Sequence, residues 1–286
     1  MLNENHVPVK TTAQEPVTLL LVGGGIRFPA FIGALQAIEA VGMNVTKVVA
    51  SSTASVISAM YAFGSSPAEI MDKALELDTR QFKDVSLKSM VKGYGLCRGE
   101  RLEEWIDEQL SSAFFSERMK IPLEIVATDM LHYRPVNFSA ERFPALKVSA
   151  AAAASCLIPG VFGYKSLSYS GKKYALVDGS LMSGVVEGRM DKSQKVLVLK
   201  MMSKRTLKRS GGGNLSVWRY FHEMLTFSLH AQEKEFLKGG KWKDTIVIYC
   251  AEVSPATFSL SLNEKKFLYA QGYEQTRKYL DYKWGI

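Results

Sequence analysis

The sequence is poor in cysteine and histidine and contains no long uninterrupted apolar segment. Its three cysteines, Cys97, Cys156 and Cys250, are too few and too scattered for a disulfide framework, and none stands in a C-x-x-C spacing. This usage favours a reducing compartment. It also supplies no Cys/His pattern typical of a metal site, so we expect neither a metal nor another cofactor.

Two kinds of targeting segment are also missing. No stretch approaches the roughly 18 consecutive apolar residues of a transmembrane helix. Residues 1–10 lack the apolar core of a secretory signal peptide. We therefore expect a cytoplasmic protein whose association with a membrane would be peripheral.

The composition is that of a folded globular chain with a basic balance. The 286 residues are 47% hydrophobic and 22% charged, which excludes a disordered or fibrous protein. Lys and Arg number 36 against 28 Asp and Glu, for a net charge of +8. This charge is compatible with nucleic acid, with an anionic membrane surface, or with neither.

Strand and helix patterns alternate along the chain. Residues 17–22 form an apolar run typical of a strand buried on both faces, and residues 28–41 have helical spacing. A second strand, 45–49, precedes a second helix, 56–63. This order predicts a βαβ unit, a parallel sheet and an α/β fold. Further elements are predicted as helices at 69–77, 100–110, 143–155, 217–237 and 264–279, and strands at 123–127, 134–138, 166–169, 173–177, 196–199 and 245–249.

We expect one domain over residues 16–286, preceded by a polar tail over residues 1–15. The best candidate for a break is the triple glycine at 211–213, but strand and helix patterns continue on both sides. A basic loop is predicted near 201–214.

Two turns of the predicted βαβ unit should meet in space. The glycine loop Gly23, Gly24 and Gly25 follows the first strand, and Ser52 follows the second. Both turns lie at the carboxyl edge of a parallel sheet, where ligands usually bind. Glycines permit positive φ and outward N–H groups, so the loop is a candidate anion or oxyanion hole.

Ser52 stands at the strand-to-helix turn that a nucleophile elbow requires, with Ala50 and Ala54 in place of the usual glycines of G-x-S-x-G. The alternative interpretation is a small polar run that caps the helix. Ser51 and Ser55 are the alternative nucleophiles.

The glycine loop also has alternative interpretations. A dinucleotide-binding G-x-G-x-x-G would have Phe28 at its third glycine, and no P-loop pattern occurs. The loop could also be a glycine-rich strand end without a ligand.

A serine nucleophile needs a base, and none of the four histidines is well placed. His6 is in the tail, His222 and His230 share one predicted helix, and His132 follows a strand. The stronger candidate is Asp178, because a carboxylate can accept the proton of a serine directly. The alternative is an ordinary turn at Asp178 and Gly179.

These residues, taken together, resemble the patatin-like phospholipases. That family combines G-G-G-x-[RK]-G, G-x-S-x-G and D-G-[GA] in this order. Here the counterparts are residues 23–27, residues 50–54 around Ser52, and Asp178 with Gly179 and Ser180. The resemblance extends over about residues 17–200.

The resemblance implies a three-layer α/β/α sandwich with a mainly parallel central sheet. It implies that Ser52 is the nucleophile, Asp178 the base, and residues 23–25 the oxyanion hole, supported by Arg27. The reaction would be hydrolysis of carboxylic esters of membrane glycerolipids through an acyl-serine, as a phospholipase A or lysophospholipase does. Asp129 is the alternative acid. Apolar residues near the elbow would line an acyl channel, with candidates Met60, Phe63 and Phe162.

The chain departs from the family pattern at Phe28, at the two elbow alanines and at Ser180. The alternative function is therefore a catalytically degenerate patatin-like module that binds lipid. A nucleic-acid-binding protein is a third hypothesis, based on charge alone and supported by no recognition motif.

The basic residues concentrate in one segment. Between residues 192 and 222 the chain has eight Lys and Arg and no Asp or Glu. We expect this segment to dock on an anionic membrane surface. Its densest part contains Lys204, Arg205, Lys208 and Arg209.

Overall fold

A computed structural model describes residues 15–85, 95–182, 195–202, 244–251, 253 and 259–286. The strands are β1 Val17–Val22, β2 Val45–Ser51, β3 Gly95–Cys97, β4 Leu123–Asp129, β5 Arg134–Phe138, β6 Gly160–Phe162, β7 Lys165–Tyr169, β8 Lys172–Val177, β9 Lys195–Met202 and β10 Thr245–Tyr249. The α-helices are α1 Pro29–Ala40, α2 Thr53–Ala62, α3 Pro67–Glu76, α4 Glu100–Gln109, α5 Val148–Ser155 and α6 Leu262–Tyr279. Short 3-10 turns occur at Gly25–Arg27, Thr79–Phe82 and Gly179–Met182, and α6 continues into a π-helical turn at Leu280–Trp284.

The centre of the fold is an eight-stranded sheet in the order β10-β9-β1-β2-β4-β8-β7, with β5 also paired to β4. Strands β10, β9, β1, β2 and β4 are mutually parallel, whereas β5, β7 and β8 are antiparallel to their partners. The predicted α/β class with a mainly parallel sheet is thereby confirmed.

The first strand is buried on both faces, as its apolar run predicts. Leu19 and Leu21 join the main core with the helices, whereas Leu20 and Val22 belong to a second cluster on the other face. A period of two explains this division, because successive side chains of a strand point to opposite faces.

The pairing of β4 brings the ends of β2 and β8 together. Ser51 of β2 lies opposite Val126, and Val177 of β8 lies opposite Thr128. Strand β5 pairs along one edge of β4, and β2 and β8 share the opposite edge. Because β8 runs antiparallel to β4 and β2 runs parallel to it, the carboxyl ends of β2 and β8 point toward each other. The residues that follow both strands must therefore meet.

Helices α1 and α6 pack closely because glycines face each other. A Cβ on Gly33 would lie 2.0 Å from the carbonyl oxygen of Tyr269, and one on Gly272 would lie 1.9 Å from that of Ala30. This contact fixes the helix that leads away from the glycine loop.

Several predicted boundaries change, and one predicted turn is confirmed. Helix α5 begins at Val148 and not at 143, because Pro144 disfavours helix before it and Lys147 forms a bridge with Phe114. Strand β9 continues to Met202, two residues into the predicted loop near 201–214. The predicted turn at Ser170 and Gly171 is confirmed, with φ of 48° and 75°, as in a type I′ hairpin.

Several predictions fall outside the described residues. They include the basic residues Lys204, Arg205, Lys208 and Arg209, the helix at 217–237 with His222 and His230, and His6 in the tail. Among the helices that are described, none combines the length and apolar character needed to cross a membrane.

Candidate active site

Ser52 is the sharp turn between β2 and α2. Its φ of 58° and ψ of −146° are rare for a non-glycine residue and indicate local strain. Ala50 and Ala54 are fully buried, and neither has a positive φ. The strain therefore falls on the serine alone, and the two flanking positions need small side chains but not glycine.

The side chain of Ser52 donates a hydrogen bond to Asp178, with 2.7 Å between Oγ and Oδ2. Both residues are buried, at 3% and 2% exposure. The other carboxylate oxygen, Oδ1, accepts from the N–H and the hydroxyl of Ser180, at 2.8 and 2.5 Å. Ser180 thus fixes the carboxylate so that Oδ2 faces the serine.

The backbone of Asp178 is held as firmly as its side chain. Its N–H donates to the carbonyl of Leu157 at 2.9 Å, and its carbonyl accepts from the Thr128 hydroxyl at 2.9 Å. The next residue, Gly179, lies directly against β4, where a Cβ would lie 1.9 Å from the Val126 oxygen. The glycine of the Asp-Gly pair is required by this close approach.

Burial raises the pKa of Asp178, and the hydrogen bonds from Ser180 and Ser52 oppose that rise. A carboxylate with a raised pKa is a stronger base than a solvated one. The environment therefore suits this group for accepting a proton.

Ser155, the last residue of α5, contacts Ser52 and was not among the predicted site residues. Its Oγ accepts from the Ser52 N–H at 2.8 Å and donates to the Val126 carbonyl at 2.6 Å. The Ser52 N–H therefore already has an acceptor, and Ser155 links the strained turn at Ser52 to β4. The sequence signal was weak: one serine at the end of an alanine-rich helix.

The glycine loop lies beside this elbow. Gly23, Gly24 and Gly25 have φ of 70°, 107° and 55°. Such positive φ values are readily adopted by glycine and are rare for other residues. The Thr53 hydroxyl donates to the Gly25 carbonyl at 2.8 Å, which ties the loop to the start of α2.

Two other residues complete the loop. Arg27 is buried, at 3% exposure, and its Nε donates to the Gly24 carbonyl at 3.3 Å. Phe28 has φ of −49°, which any residue can adopt, so no glycine is needed at this departure from the family pattern.

The alternative candidates do not meet Ser52 in the same way. Asp129 pairs with His132, at 2.5 Å between Oδ2 and Nδ1. The Ser55 hydroxyl donates to the Ser52 carbonyl at 2.6 Å. The buried Ser51 hydroxyl has no hydrogen-bond partner among the described residues.

An apolar cavity of about 160 Å³ adjoins the elbow. It is bordered by Gly25, Thr53 and Cys156, and its walls include Phe162. Met60 and Phe63, the other two candidates for an acyl channel, are not among its lining residues and pack into the main core. Burial, together with the nearby Asp178 carboxylate, raises the pKa of Cys156, so its thiol stays protonated.

No metal site was found within the described ranges. There, no group of three or more His, Cys, Asp or Glu side chains is arranged to hold an ion.

Fold and site together define an α/β protein with a buried serine–aspartate pair at the carboxyl edge of its sheet. The family model for patatin-like phospholipase matches residues 19–187. The chain therefore belongs to the patatin-like phospholipase family.

One relative is similar over nearly the whole chain, and another is similar over about half of it. The uncharacterised protein YqhO of Bacillus subtilis is 22% identical over 281 residues, which cover 90% of this chain and 96% of the relative. An uncharacterised NTE family protein of Mycobacterium tuberculosis is 30% identical over 153 residues, which cover 54% of this chain and 40% of that protein.

Two solved structures share the fold. The crystal structure of VipD from Legionella pneumophila has a TM-score of 0.61 at 16% identity, covering 93% of this chain and 67% of that one. ExoU, in its complex with SpcU from the type III secretion system of Pseudomonas aeruginosa, has a TM-score of 0.53 at 19% identity, covering 95% and 53%. At these identities the likeness concerns the fold.

Proposed function

We propose that this protein is a lipid acyl hydrolase that cleaves carboxylic esters of membrane glycerolipids through an acyl-Ser52 intermediate. The observation that carries the proposal is the buried 2.7 Å hydrogen bond from Ser52 to Asp178, next to the glycine loop. Family membership and the adjoining apolar cavity support a lipid substrate.

In the first half-reaction, Ser52 Oγ attacks the ester carbonyl carbon while its proton passes to Asp178 Oδ2. The carbonyl oxygen becomes an oxyanion, and we assign its stabilisation to N–H groups of residues 23–25. When the tetrahedral intermediate collapses, the bond to the alcohol breaks and Asp178 returns the proton to that leaving group. The acyl group remains on Ser52.

In the second half-reaction, water replaces the alcohol. Asp178 takes a proton from the attacking water, and the tetrahedral intermediate expels Ser52 Oγ, which recovers the proton. The products are a fatty acid and the free enzyme. The Ser52 N–H does not take part as a donor, because Ser155 already accepts from it.

The test is hydrolysis of a monoacyl glycerophospholipid and of a chromogenic fatty-acyl ester by wild type, Ser52→Ala and Ser51→Ala. Ser51 is the matched control, because it is the adjacent buried serine and its hydroxyl has no partner among the described residues. We expect loss of turnover on the order of 10⁴-fold or more in Ser52→Ala and little change in Ser51→Ala. Equal turnover in wild type and Ser52→Ala would refute the proposal.

The alternative, a degenerate lipid-binding module, has the departures from the family's sequence motifs in its favour. Phe28 stands where the family pattern ends in glycine, and Ala50 and Ala54 stand at the two glycines of the elbow. Absence of turnover in wild type on every lipid class, with lipid binding retained, would select this alternative.

A further inference from the structure

The turn between β4 and β5 exposes three large apolar side chains. Met130, Leu131 and Tyr133 are 40%, 56% and 85% exposed, and they are nearly consecutive in the chain. Tyr133 also has φ of 50°, which is rare for a bulky residue. Single exposed apolar side chains are ordinary, whereas a contiguous group of them marks a site of interaction.

Hydrogen bonds to a buried carboxylate fix the shape of this turn. Asp129 is fully buried; its Oδ1 accepts from the Leu131 N–H at 3.1 Å, and its Oδ2 lies 2.5 Å from His132 Nδ1. The Met130 N–H donates to the Ala175 carbonyl of β8 at 2.9 Å. The apolar side chains are therefore held in solvent by an anchored backbone.

The turn lies at the same edge of the sheet as the nucleophile. Strands β2 and β4 are parallel, with Ser51 opposite Val126. Asp129 ends β4 three residues after Val126, so the turn begins about 10 Å beyond the level of Ser51. The exposed apolar group thus projects past Ser52 from the carboxyl edge.

Positive charge accompanies the apolar group. Because β8 is antiparallel to β4, its first residues and the hairpin turn before them extend beyond the carboxyl end of β4. Lys172 and Lys173 are exposed there, and Arg134 is exposed directly after Tyr133. The sequence has no Asp or Glu in residues 130–140 or 142–177. A partner of matching chemistry is apolar beneath an anionic surface.

We propose that this surface docks the active-site edge on an anionic phospholipid bilayer. We call it the interfacial surface; it consists of Met130, Leu131, Tyr133, Arg134, Lys172 and Lys173. A tyrosine suits the boundary of a membrane, because its ring is apolar and its hydroxyl is polar. The basic side chains meet the anionic headgroups. This inference rests on the proposed function, because the bilayer holds the substrate of that reaction.

The test is cosedimentation with vesicles of phosphatidylcholine, with and without phosphatidylserine. All variants are made in the Ser52→Ala background, so that lipid is not consumed. Lys172→Gln with Lys173→Gln should weaken binding to the phosphatidylserine vesicles by roughly 30-fold. Leu131→Ser with Tyr133→Asn should weaken it by at least about tenfold, through the loss of buried apolar area. Asparagine tolerates the positive φ at position 133, so the fold is retained.

Tyr282→Asn is the matched control, because Tyr282 is as exposed as Tyr133, at 87%. It lies in the π-helical turn whose Trp284 ring is 4.2 Å from the ammonium of Lys195, the first residue of β9, and so at the opposite edge of the sheet. Its vesicle binding should be unchanged. Unchanged binding in both pairs of substitutions, an equal loss in the control, or no binding without them would overturn the proposal.

Kinetics with Ser52 intact separate this inference from the proposed reaction. The interfacial variants should hydrolyse a soluble chromogenic ester as wild type does, and lose hydrolysis of vesicle lipid in proportion to binding. Vesicle binding that depends on the interfacial surface, without turnover of any ester by wild type, would contradict the proposed reaction only. Vesicle hydrolysis that is equal in wild type and in the interfacial variants would contradict the docking inference only.

Discussion

Two buried aspartates stand at neighbouring strand ends, and each is paired with a different side chain. Asp178 follows β8 and accepts from Ser52, whereas Asp129 ends β4 and pairs with His132. The two strands lie side by side, with Asp129 opposite Leu176. Ser52 is buried, whereas the side chain of His132 is half exposed.

The surroundings of the two aspartates differ, and the difference underlies the proposal that Asp178, and not Asp129, acts as a base. Asp129 Oδ1 accepts from the N–H groups of Leu131 and Ala175, at 3.1 and 3.3 Å, so that carboxylate stabilises the turn after β4. Asp178 instead leaves one oxygen for a serine that adjoins a positive-φ glycine loop and an apolar cavity. These neighbours are the reason that we propose a chemical role for Asp178 and none for Asp129.

The largest expected contrast is between Asp178→Asn and Asp129→Asn. An amide at 178 cannot accept the serine proton as a carboxylate does, so we expect kcat to fall on the order of 10⁴-fold. The change at 129 should lower the free energy of unfolding by about 1–3 kcal/mol and leave kcat within about tenfold of wild type. Steady-state kinetics and chemical denaturation of both variants measure this contrast. An equal loss of kcat in the two variants would contradict the assignment of the catalytic base to Asp178 and not to Asp129.

Gly24→Ala tests whether the glycine loop gives the Ser52–Asp178 pair a role that the His132–Asp129 pair lacks. A Cβ there would lie 2.8 Å from Phe31 and 3.0 Å from Met201, on a backbone with φ of 107°. Displaced N–H donors should lower kcat by about 10²–10³-fold.

Gly42→Ala is the matched control for this loop variant. Gly42 also has a positive φ, of 66°, but nothing lies within 4 Å of its added Cβ. It should lose about 1 kcal/mol of stability and keep its activity. Wild-type kcat in folded Gly24→Ala would argue against an oxyanion role for the loop.

Ser155→Ala tests whether the hydrogen bond from the Ser52 N–H to Ser155 fixes the position of the nucleophile. The substitution leaves the Ser52 N–H and the Val126 carbonyl without this partner. We expect kcat to fall by roughly 10–100-fold with little change in KM, because small displacements of a nucleophile are costly. Ser58→Ala provides the comparison, since the buried Ser58 hydroxyl has no partner in the described part of the chain. A loss confined to KM would contradict a positioning role.

The smallest expected effect is on the pH dependence of the reaction. Asp178 must be deprotonated to act as a base, and the Ser180 hydroxyl lowers a pKa that burial raises. Ser180→Ala removes that hydroxyl, so the acid limb of kcat/KM should move to higher pH while the alkaline side is unchanged. Ser168→Ala, on the exposed face of β7, should leave the limb in place. A shift of the acid limb to lower pH in Ser180→Ala would contradict the role of the Ser180 hydroxyl in lowering the pKa of Asp178.

Much of the fold follows from local patterns. The apolar run of β1, the helical spacing after the glycine loop and the hairpin at Ser170 and Gly171 each depend on residues close in sequence. The Ser52 turn was found for the same reason, because strand, small residues and helix are contiguous there. Local patterns also explain the error at the start of α5, where an alanine-rich composition concealed the effect of Pro144.

Local patterns alone do not predict which side chains pair. Asp178 and Asp129 both follow strands, and Asp178 is favoured over Asp129 by its Asp-Gly turn and by the family resemblance. In the structure, the antiparallel approach of β8 to β4 brings Asp178 to Ser52. Ser155 lies 103 residues from Ser52, and its hydrogen bond depends on where α5 ends against the sheet. Such contacts are set by tertiary packing and leave little trace in a single sequence.

The most direct test of the account is to locate the residue that an active-site fluorophosphonate modifies. We predict one equivalent of label, mapped by peptide mass spectrometry to Ser52. Labelling should be lost in Ser52→Ala, strongly slowed in Asp178→Asn and retained in Asp129→Asn. Label on another serine, or undiminished labelling of Ser52→Ala, would contradict the claim that Ser52 and Asp178 form the reactive pair.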